Sequence, residues 1–231
     1  MLNLIKLELR KGHLKGYAWG SVLAYGIIAG FLALIYFTEG PISEEPIFAS
    51  YPDMLEMIDV LVRATFIIYG AALLSKLVIS EFRDKTMGLL FAYPVSRKKL
   101  MYAKLSIVFI WTFTNVVIAN VLVGTIFLII NENMGYVNDQ WSNSLLYEHG
   151  LTILMQAIGA AGISLLPLLF GMRKKSVVAT IVSAVLIVML VASNNMGFTL
   201  SSIIAIPLSL SAIGVLLAFW SFRDIDKVDV G

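Results

Sequence analysis

The chain has 231 residues, of which 59% are apolar, and its mean hydropathy is +0.87. Soluble domains are about 45–50% apolar, so this composition indicates an integral membrane protein. Charged residues make up 14% of the chain, the formal net charge is +2, and cysteine is absent. The lack of cysteine excludes disulfides, thiolate metal sites and cysteine nucleophiles.

The first 15 residues alternate apolar and basic positions. On a helical projection Met1, Leu2, Ile5 and Leu9 share one side, with basic side chains next to them. This amphipathic pattern predicts an N-terminal helix that lies in the membrane interface.

Six apolar segments are long enough to cross a hydrocarbon core of about 30 Å, which needs roughly 20 helical residues. They are residues 17–37, 58–80, 105–130, 150–171, 176–193 and 201–222. Lipid cannot satisfy exposed backbone groups, and the segments lack strand alternation. The predicted fold is therefore an all-α integral membrane domain over residues 1–231, with six transmembrane helices. Pro167 and Pro207 predict kinks in their helices.

Outside the spans, lysine and arginine are segregated to one side of this predicted arrangement, in residues 1–15, 81–104, 173–175 and 223–227. The connecting segments on the other side contain acidic residues but no lysine or arginine, and they are residues 38–57, 131–149 and 194–200. Basic loops face the cytoplasm. The protein is therefore predicted to be a multi-pass cell-membrane protein with both termini in the cytoplasm.

The segment between the second and third spans, residues 81–104, is charged at both ends and apolar in the middle. Met87, Leu90 and Phe91 have i, i+3 and i+4 spacing, so a short helix presents them on one face. Pro94 ends that helix, and Ser96 can cap a new helix that leads into the third span. A short amphipathic helix of this kind suits insertion into a groove on a soluble partner.

An ordered pattern in this segment resembles the first cytoplasmic loop of type-2 ABC exporter permeases, of the small kind that exports peptides and antibiotics. Its residues are Glu81, Thr86, Leu90, Pro94, Val95, Ser96, Arg97 and Lys104. The N-terminal stretch LIKLELRKG resembles the elbow helix of that family, and the six-span layout is similar too. One departure is that Thr86 precedes Gly88, whereas many members carry Gly-Thr.

The resemblance implies that residues 81–104 contain a coupling helix that docks onto a separate ATPase subunit. The implied ATPase-coupling residues are Glu81, Thr86, Met87, Leu90, Phe91, Pro94 and Arg97. It also implies a segment before the last span that dips back into the membrane, for which residues 194–198 are the candidate.

A phosphate-binding GxxxxGK[ST] loop is absent from the sequence. The chain is therefore expected to be a permease without its own ATPase activity or cofactor, and ATP and Mg²⁺ are expected on the partner ATPase. Its expected partners are that ATPase, a second permease chain (a copy or a related chain) and the lipid bilayer, but not nucleic acid. The resemblance favours export of an amphipathic peptide (an antimicrobial peptide, bacteriocin or toxin) or a hydrophobic drug, with sodium or another small solute as the alternative.

Four polar residues within the spans form a possible substrate path: Arg63, Asn115, Asn120 and Gln156. Arg63 has two alternative explanations, an i, i+4 pair with Asp59 and snorkelling to the outer interface. The amide side chains can instead join helices through hydrogen bonds, and the small residues 159–164 predict close helix packing within the bundle.

Other functional classes fit the sequence less well. An intramembrane enzyme needs a nucleophile with a base, or a metal cluster, at membrane depth, and the predicted spans contain no histidine. A channel or secondary transporter usually has ionisable residues near the midplane or matched broken helices in two halves. Neither feature is visible. Sensing or immunity without transport cannot be separated from export on the sequence.

Overall fold

The computed structural model describes residues 15–39, 50–84, 97–135, 137, 143–192, 194–195, 198–199 and 205–223. These residues are helical apart from short turns and one strand pair. The elements are α1 (Lys15–Glu39), α2 (Tyr51–Leu74), a π-helical turn (Ser75–Ile79), α3 (Ser80–Arg83), α4 (Arg97–Met134), α5 (Asn143–Ile163), α6 (Pro167–Lys174), α7 (Val177–Ala192), β1 (Asn194–Asn195), β2 (Phe198–Thr199) and α8 (Ala205–Ser221). The predicted elbow helix, except Lys15, lies outside the described residues.

Within the described ranges, four helical segments are long and apolar enough to cross a membrane. They are Lys15–Thr38, Tyr51–Arg83, Arg97–Met134 and Tyr147–Lys174. Helices α7 and α8 are apolar, and their described parts have 16 and 17 residues. At about 1.5 Å per residue they reach roughly 24–26 Å. The predicted all-α membrane class is confirmed, and the count of six spans stays a prediction.

The second and third predicted spans are parts of longer helices. The segment Tyr51–Arg83 extends beyond the predicted 58–80, and α4 extends beyond the predicted 105–130. Ser50 caps the start of α2, because its backbone is extended and its hydroxyl accepts a hydrogen bond from the backbone N–H of Asp53. The helices are longer than the predicted spans because hydropathy falls at charged residues, whereas a helix continues through them.

Helix α2 lies at the centre of the bundle and packs against α1, α4, α5 and α7. One cluster of buried side chains joins these helices and includes Leu32, Phe66, Val116, Phe127, Ala157 and Val188. The outward faces remain apolar, and α1 exposes Trp19, Ile27 and Leu34. Because the interior is already filled by other apolar groups, these exposed side chains form the surface that a lipid bilayer covers.

A second apolar cluster joins the ends of several helices and includes Leu74, Val78, Val108, Leu168 and Phe222. Phe82 stacks on Phe222 with ring centroids 6.4 Å apart, and Tyr102 stacks on Phe219 at 4.6 Å. The same end carries charged residues Arg83, Arg97, Lys174 and Arg223, and we call it the basic end. It is the end from which the predicted coupling loop leaves the bundle.

Helices α5 and α8 pack closely through small residues. A Cβ atom placed on Gly159 would lie 2.9 Å from the Cβ of Pro207, and one placed on Gly162 would lie 2.6 Å from the Cβ of Ser211. On the opposite helix, a Cβ on Gly214 would overlap the carbonyl oxygen of Gly162. The predicted role of residues 159–164 in packing within the bundle is therefore confirmed.

The two membrane prolines differ. Pro167 begins α6 after a turn at residues 164–166, where Leu165 and Leu166 make i→i−3 hydrogen bonds, so the predicted break is present. Pro207 lies two residues after the first described residue of α8, and the kink predicted there stays a prediction.

The connection from α7 to α8 contains a strand pair where a re-entrant segment was expected. Asn194 pairs with Thr199 and Asn195 with Phe198 in antiparallel register. The described residues of this connection are therefore extended, since their backbone groups pair with each other.

Candidate functional site

The predicted coupling loop has only its two ends within the described residues. Glu81 lies in α3, and Arg97 is the first residue of α4. The helix boundary predicted from Pro94 and Ser96 lies outside the described residues and stays a prediction. The remaining predicted coupling residues lie outside the described residues, and they are Thr86, Met87, Leu90, Phe91 and Pro94.

The two ends of this loop are joined by a buried ion pair. Lys104 in α4 is fully buried, and its Nζ donates hydrogen bonds to Glu81 Oε2 at 2.5 Å and to the carbonyl oxygen of Leu77 at 2.8 Å. Glu81 is partly open to solvent, with 20% of its side chain exposed. A buried ammonium group is strongly unfavourable without such partners. We call this contact the Glu81–Lys104 clasp.

The clasp forms at an irregular turn of the second long helix. The backbone N–H of Ser80 bonds to the carbonyl of Ser75, which is the i→i−5 pattern of a π turn. Two carbonyl oxygens of this turn accept hydrogen bonds from side chains. Ser80 Oγ donates to the carbonyl of Lys76 at 2.6 Å, and Lys104 Nζ donates to the carbonyl of Leu77. π turns of this kind occur as local insertions in α-helices, frequently at functional sites.

A second group of buried polar side chains joins α2, α4 and α5. Arg63 Nε lies 2.9 Å from Asp59 Oδ2, and Arg63 Nη1 donates to Gln156 Oε1 at 2.7 Å. Asn120 Nδ2 donates to Asp59 Oδ1 at 3.3 Å. All four residues are at most 7% exposed. We call them the buried polar network.

This network decides between the two explanations of Arg63. The i, i+4 pair with Asp59 is present, and the guanidinium is turned into the bundle rather than to an interface. Because α2 begins at Tyr51, Arg63 lies about 18 Å along its helix at ~1.5 Å per residue. Arg63 is therefore further from the start of its helix than from the start of the predicted span at residue 58. The side chain also borders an apolar cleft with Ile67 and Val188.

The structure separates Asn115 from the other three predicted path residues. Its Oδ1 accepts a hydrogen bond from Tyr25 at 2.6 Å, and its Nδ2 bonds to the carbonyl of Trp111 at 2.7 Å. Asn115 therefore joins α1 to α4. Asn120 lies five positions further along the chain, which places the two side chains on different faces of α4.

Sequence reasoning missed a polar contact at the opposite end of the bundle. Asn131 Oδ1 accepts hydrogen bonds from Tyr36 at 2.7 Å and from the Val137 backbone at 2.9 Å, and its Nδ2 donates to Tyr51 at 3.0 Å. The contact joins α1, α2 and α4. Its only signal in the sequence is a polar residue directly after an apolar run. Among the described residues, no three His, Asp or Glu side chains come together as metal ligands.

Comparison with known proteins places these features in a family. The family described as ABC-2 family transporter protein matches residues 4–193, which include the clasp and the buried polar network. The chain belongs to this family. It is 41% identical over 231 residues to a Bacillus subtilis (strain 168) protein named "Uncharacterized protein YcbO", with 99% of this chain and 100% of that protein covered. No solved structure matches.

The match confirms the resemblance to type-2 ABC permeases that the loop residues indicated. The chain is a multi-pass transmembrane subunit of an ABC transporter, and the family implies an ABC ATPase as partner. This assignment identifies the long helices on either side of residues 85–96 as those that lead from the predicted coupling loop into the membrane.

Proposed function

We propose that the chain is the permease subunit of an ATP-driven exporter that moves an amphipathic peptide or a hydrophobic drug outward across the cell membrane. The observation that carries the proposal is the family match over residues 4–193, which includes the entire predicted coupling loop. A separate ATPase subunit supplies ATP hydrolysis, and two permease chains form the transport unit. Six spans place both termini and residues 81–104 on the cytoplasmic side.

In this mechanism, ATP binding closes the ATPase pair and moves residues 86–93 as a lever. The helices at its two ends then shift and switch access from the inner to the outer side. The lengths of these helices support the proposal, because Tyr51–Arg83 has 33 residues and α4 has 38. Continuous helices of this length carry a displacement from the basic end into the membrane.

The character of the interior supports an amphipathic cargo. Among the described residues, the ionisable side chains buried in the bundle are paired: Asp59 with Arg63, and Lys104 with Glu81. The cleft next to Arg63 is otherwise lined by apolar side chains. A hydrated ion needs several oxygen ligands, whereas an amphipathic molecule can enter such surroundings from the bilayer.

Substitutions in the coupling loop test the proposal. In the predicted helix, Leu90 and Phe91 share the docking face, whereas Leu89 lies on the opposite side. We expect Leu90→Asp or Phe91→Asp to abolish substrate-stimulated ATP hydrolysis by the reconstituted permease–ATPase complex. Leu89→Asp is the matched control and should retain it.

Membrane insertion of all three variants is checked by their yield in the membrane fraction. Wild-type coupling in Leu90→Asp and Phe91→Asp would contradict the assignment of this loop. Purification of the fully active chain without any ATPase subunit would contradict the proposed function as a whole. If sodium stimulates ATP hydrolysis and amphipathic peptides or drugs do not, the transported substrate is sodium rather than the proposed cargo.

A further inference from the structure

We propose that Glu81 and Lys104 are positioning residues that transmit the movement of the coupling loop to the membrane helices, and that Glu81 acts through Lys104 rather than by touching the ATPase. This inference rests on the proposed function. It changes the role of Glu81 from a docking residue on the loop surface to one half of an internal contact.

The burial of Lys104 is the first argument. The side chain is 0% exposed, so its ammonium group cannot exchange its partners for bulk water. Its bonds to Glu81 and Leu77 are therefore maintained while the chain is folded, unlike an exposed ion pair that opens and closes freely. Such a contact holds α3 and α4 at a defined separation.

The position of the clasp is the second argument. The loop that lies outside the described residues is 85–96. Glu81 lies four residues before its first residue, and Lys104 lies seven residues after Arg97, which follows it. The contact therefore closes residues 85–96 into a loop with fixed ends. A force applied anywhere on that loop reaches both long helices together, because neither end can move without the other.

The π turn is the third argument. A local change of helical pattern marks a place where α3 can change its direction relative to α2. Lys104 bonds to Leu77 inside this turn and to Glu81 beyond it. The lysine thus bridges both sides of the turn, so that α3 follows α4 instead of bending independently.

The test compares Glu81→Gln, Lys104→Met and the double variant in the full permease–ATPase complex, purified from membranes and reconstituted in liposomes. We expect the ATPase subunit to co-purify in wild-type amount and basal hydrolysis to persist. Transport per ATP hydrolysed should fall by about tenfold in each single variant. The double variant should be no worse than either single one, because both remove the same interaction.

Conservative variants and controls separate this role from loss of stability. Lys104→Arg and Glu81→Asp keep the charges and should retain part of the coupling that Lys104→Met and Glu81→Gln lose. Lys76→Gln removes an exposed charge from the same π turn and should behave as wild type. Val108→Ala, a buried substitution one turn further along α4, should lower the thermal midpoint without reducing transport per ATP.

Three outcomes would overturn the inference. If Glu81→Gln loses the ATPase subunit while Lys104→Met retains it, Glu81 is a docking residue. If Val108→Ala uncouples transport to the same degree at the same loss of thermal stability, the clasp is only structural. If the clasp variants remain coupled while Leu90→Asp is uncoupled, the inference about the clasp is wrong and the proposed function stands. Absence of any ATPase subunit from the wild-type complex would remove the proposed function as well.

Discussion

Arg63 illustrates how a charge is accommodated inside this protein. Its guanidinium contacts Asp59 on its own helix and Gln156 on α5, while Asp59 also accepts a hydrogen bond from Asn120 on α4. The pair is electrically neutral and joins three helices. Removal of one partner of a buried pair leaves an uncompensated charge, whereas removal of both does not.

This arrangement predicts a strong effect of Asp59→Asn. We expect it to lower the free energy of unfolding by about 3–5 kcal/mol, because Arg63 then stays buried without a counter-charge. The double variant Asp59→Leu/Arg63→Leu should recover most of that loss. Thermal or denaturant unfolding of the purified protein in detergent measures both.

Glu56→Gln is the matched control for this prediction. Glu56 lies on the same helix, three residues before Asp59, but its side chain is exposed. Its substitution should change the free energy of unfolding by no more than about 0.5 kcal/mol. Equal stabilities of Asp59→Asn and Glu56→Gln would show that the buried polar network does not hold the helices together.

At the same scale, the sequence predicts contacts within one helix far better than contacts between helices. The Asp59–Arg63 pair follows from i, i+4 spacing alone. The partners Gln156 and Asn120 depend on how helices rotate against one another, which no local pattern contains. Glu81 and Lys104 were recognised as members of one motif, but their direct contact was not predicted because the intervening loop hides their distance.

At the scale of elements, close helix contacts depend on residues without side chains. Helix α5 meets α8 at Gly159 and Gly162, and the facing helix contributes Gly214. Membrane helices gain little from apolar burial because lipid is equally apolar, so such close approach is a main source of their association. The α5–α8 contact should therefore tolerate no added methyl group.

Two alanine substitutions on α5 test this expectation. A Cβ at Gly162 would meet the Cβ of Ser211 at 2.6 Å, whereas one at Gly150 would have no atom within 4 Å. Gly162→Ala should lower the free energy of unfolding by about 1–3 kcal/mol through overpacking. Gly150→Ala should raise it by up to about 1 kcal/mol, because alanine favours the helix. Thermal unfolding of both proteins measures the difference, and equal midpoints would refute the packing argument.

The ends of the elements were the least predictable part of the fold. Hydropathy located every apolar helix, since long apolar runs have one stable structure in lipid. It did not locate the start of α2, where Ser50 supplies a cap eight residues before the predicted span.

At the scale of the whole molecule, the open question is whether α7 and α8 cross the membrane. Their described parts have 16 and 17 residues, and at about 1.5 Å per residue these parts fall short of a 30 Å core by several ångströms. A short helix crosses by thinning the bilayer locally, at a cost of fractions of a kcal/mol per ångström. The basic residues at 173–175 and 223 lie on the same side whether both helices cross or neither does, so the side on which their connection lies distinguishes six spans from four.

The absence of cysteine makes a direct test possible, since a single introduced thiol is the only reactive one. Glu132→Cys, at the end of α4, and Thr199→Cys, between α7 and α8, should react with a membrane-impermeant maleimide on intact cells. Lys174→Cys and Arg223→Cys should react only after the cells are permeabilised. If Thr199→Cys requires permeabilisation while Glu132→Cys does not, α7 and α8 do not cross and the protein has four spans. The loop ends joined by the clasp remain cytoplasmic in either case, so this result would revise the membrane architecture without removing the proposed contact with the ATPase.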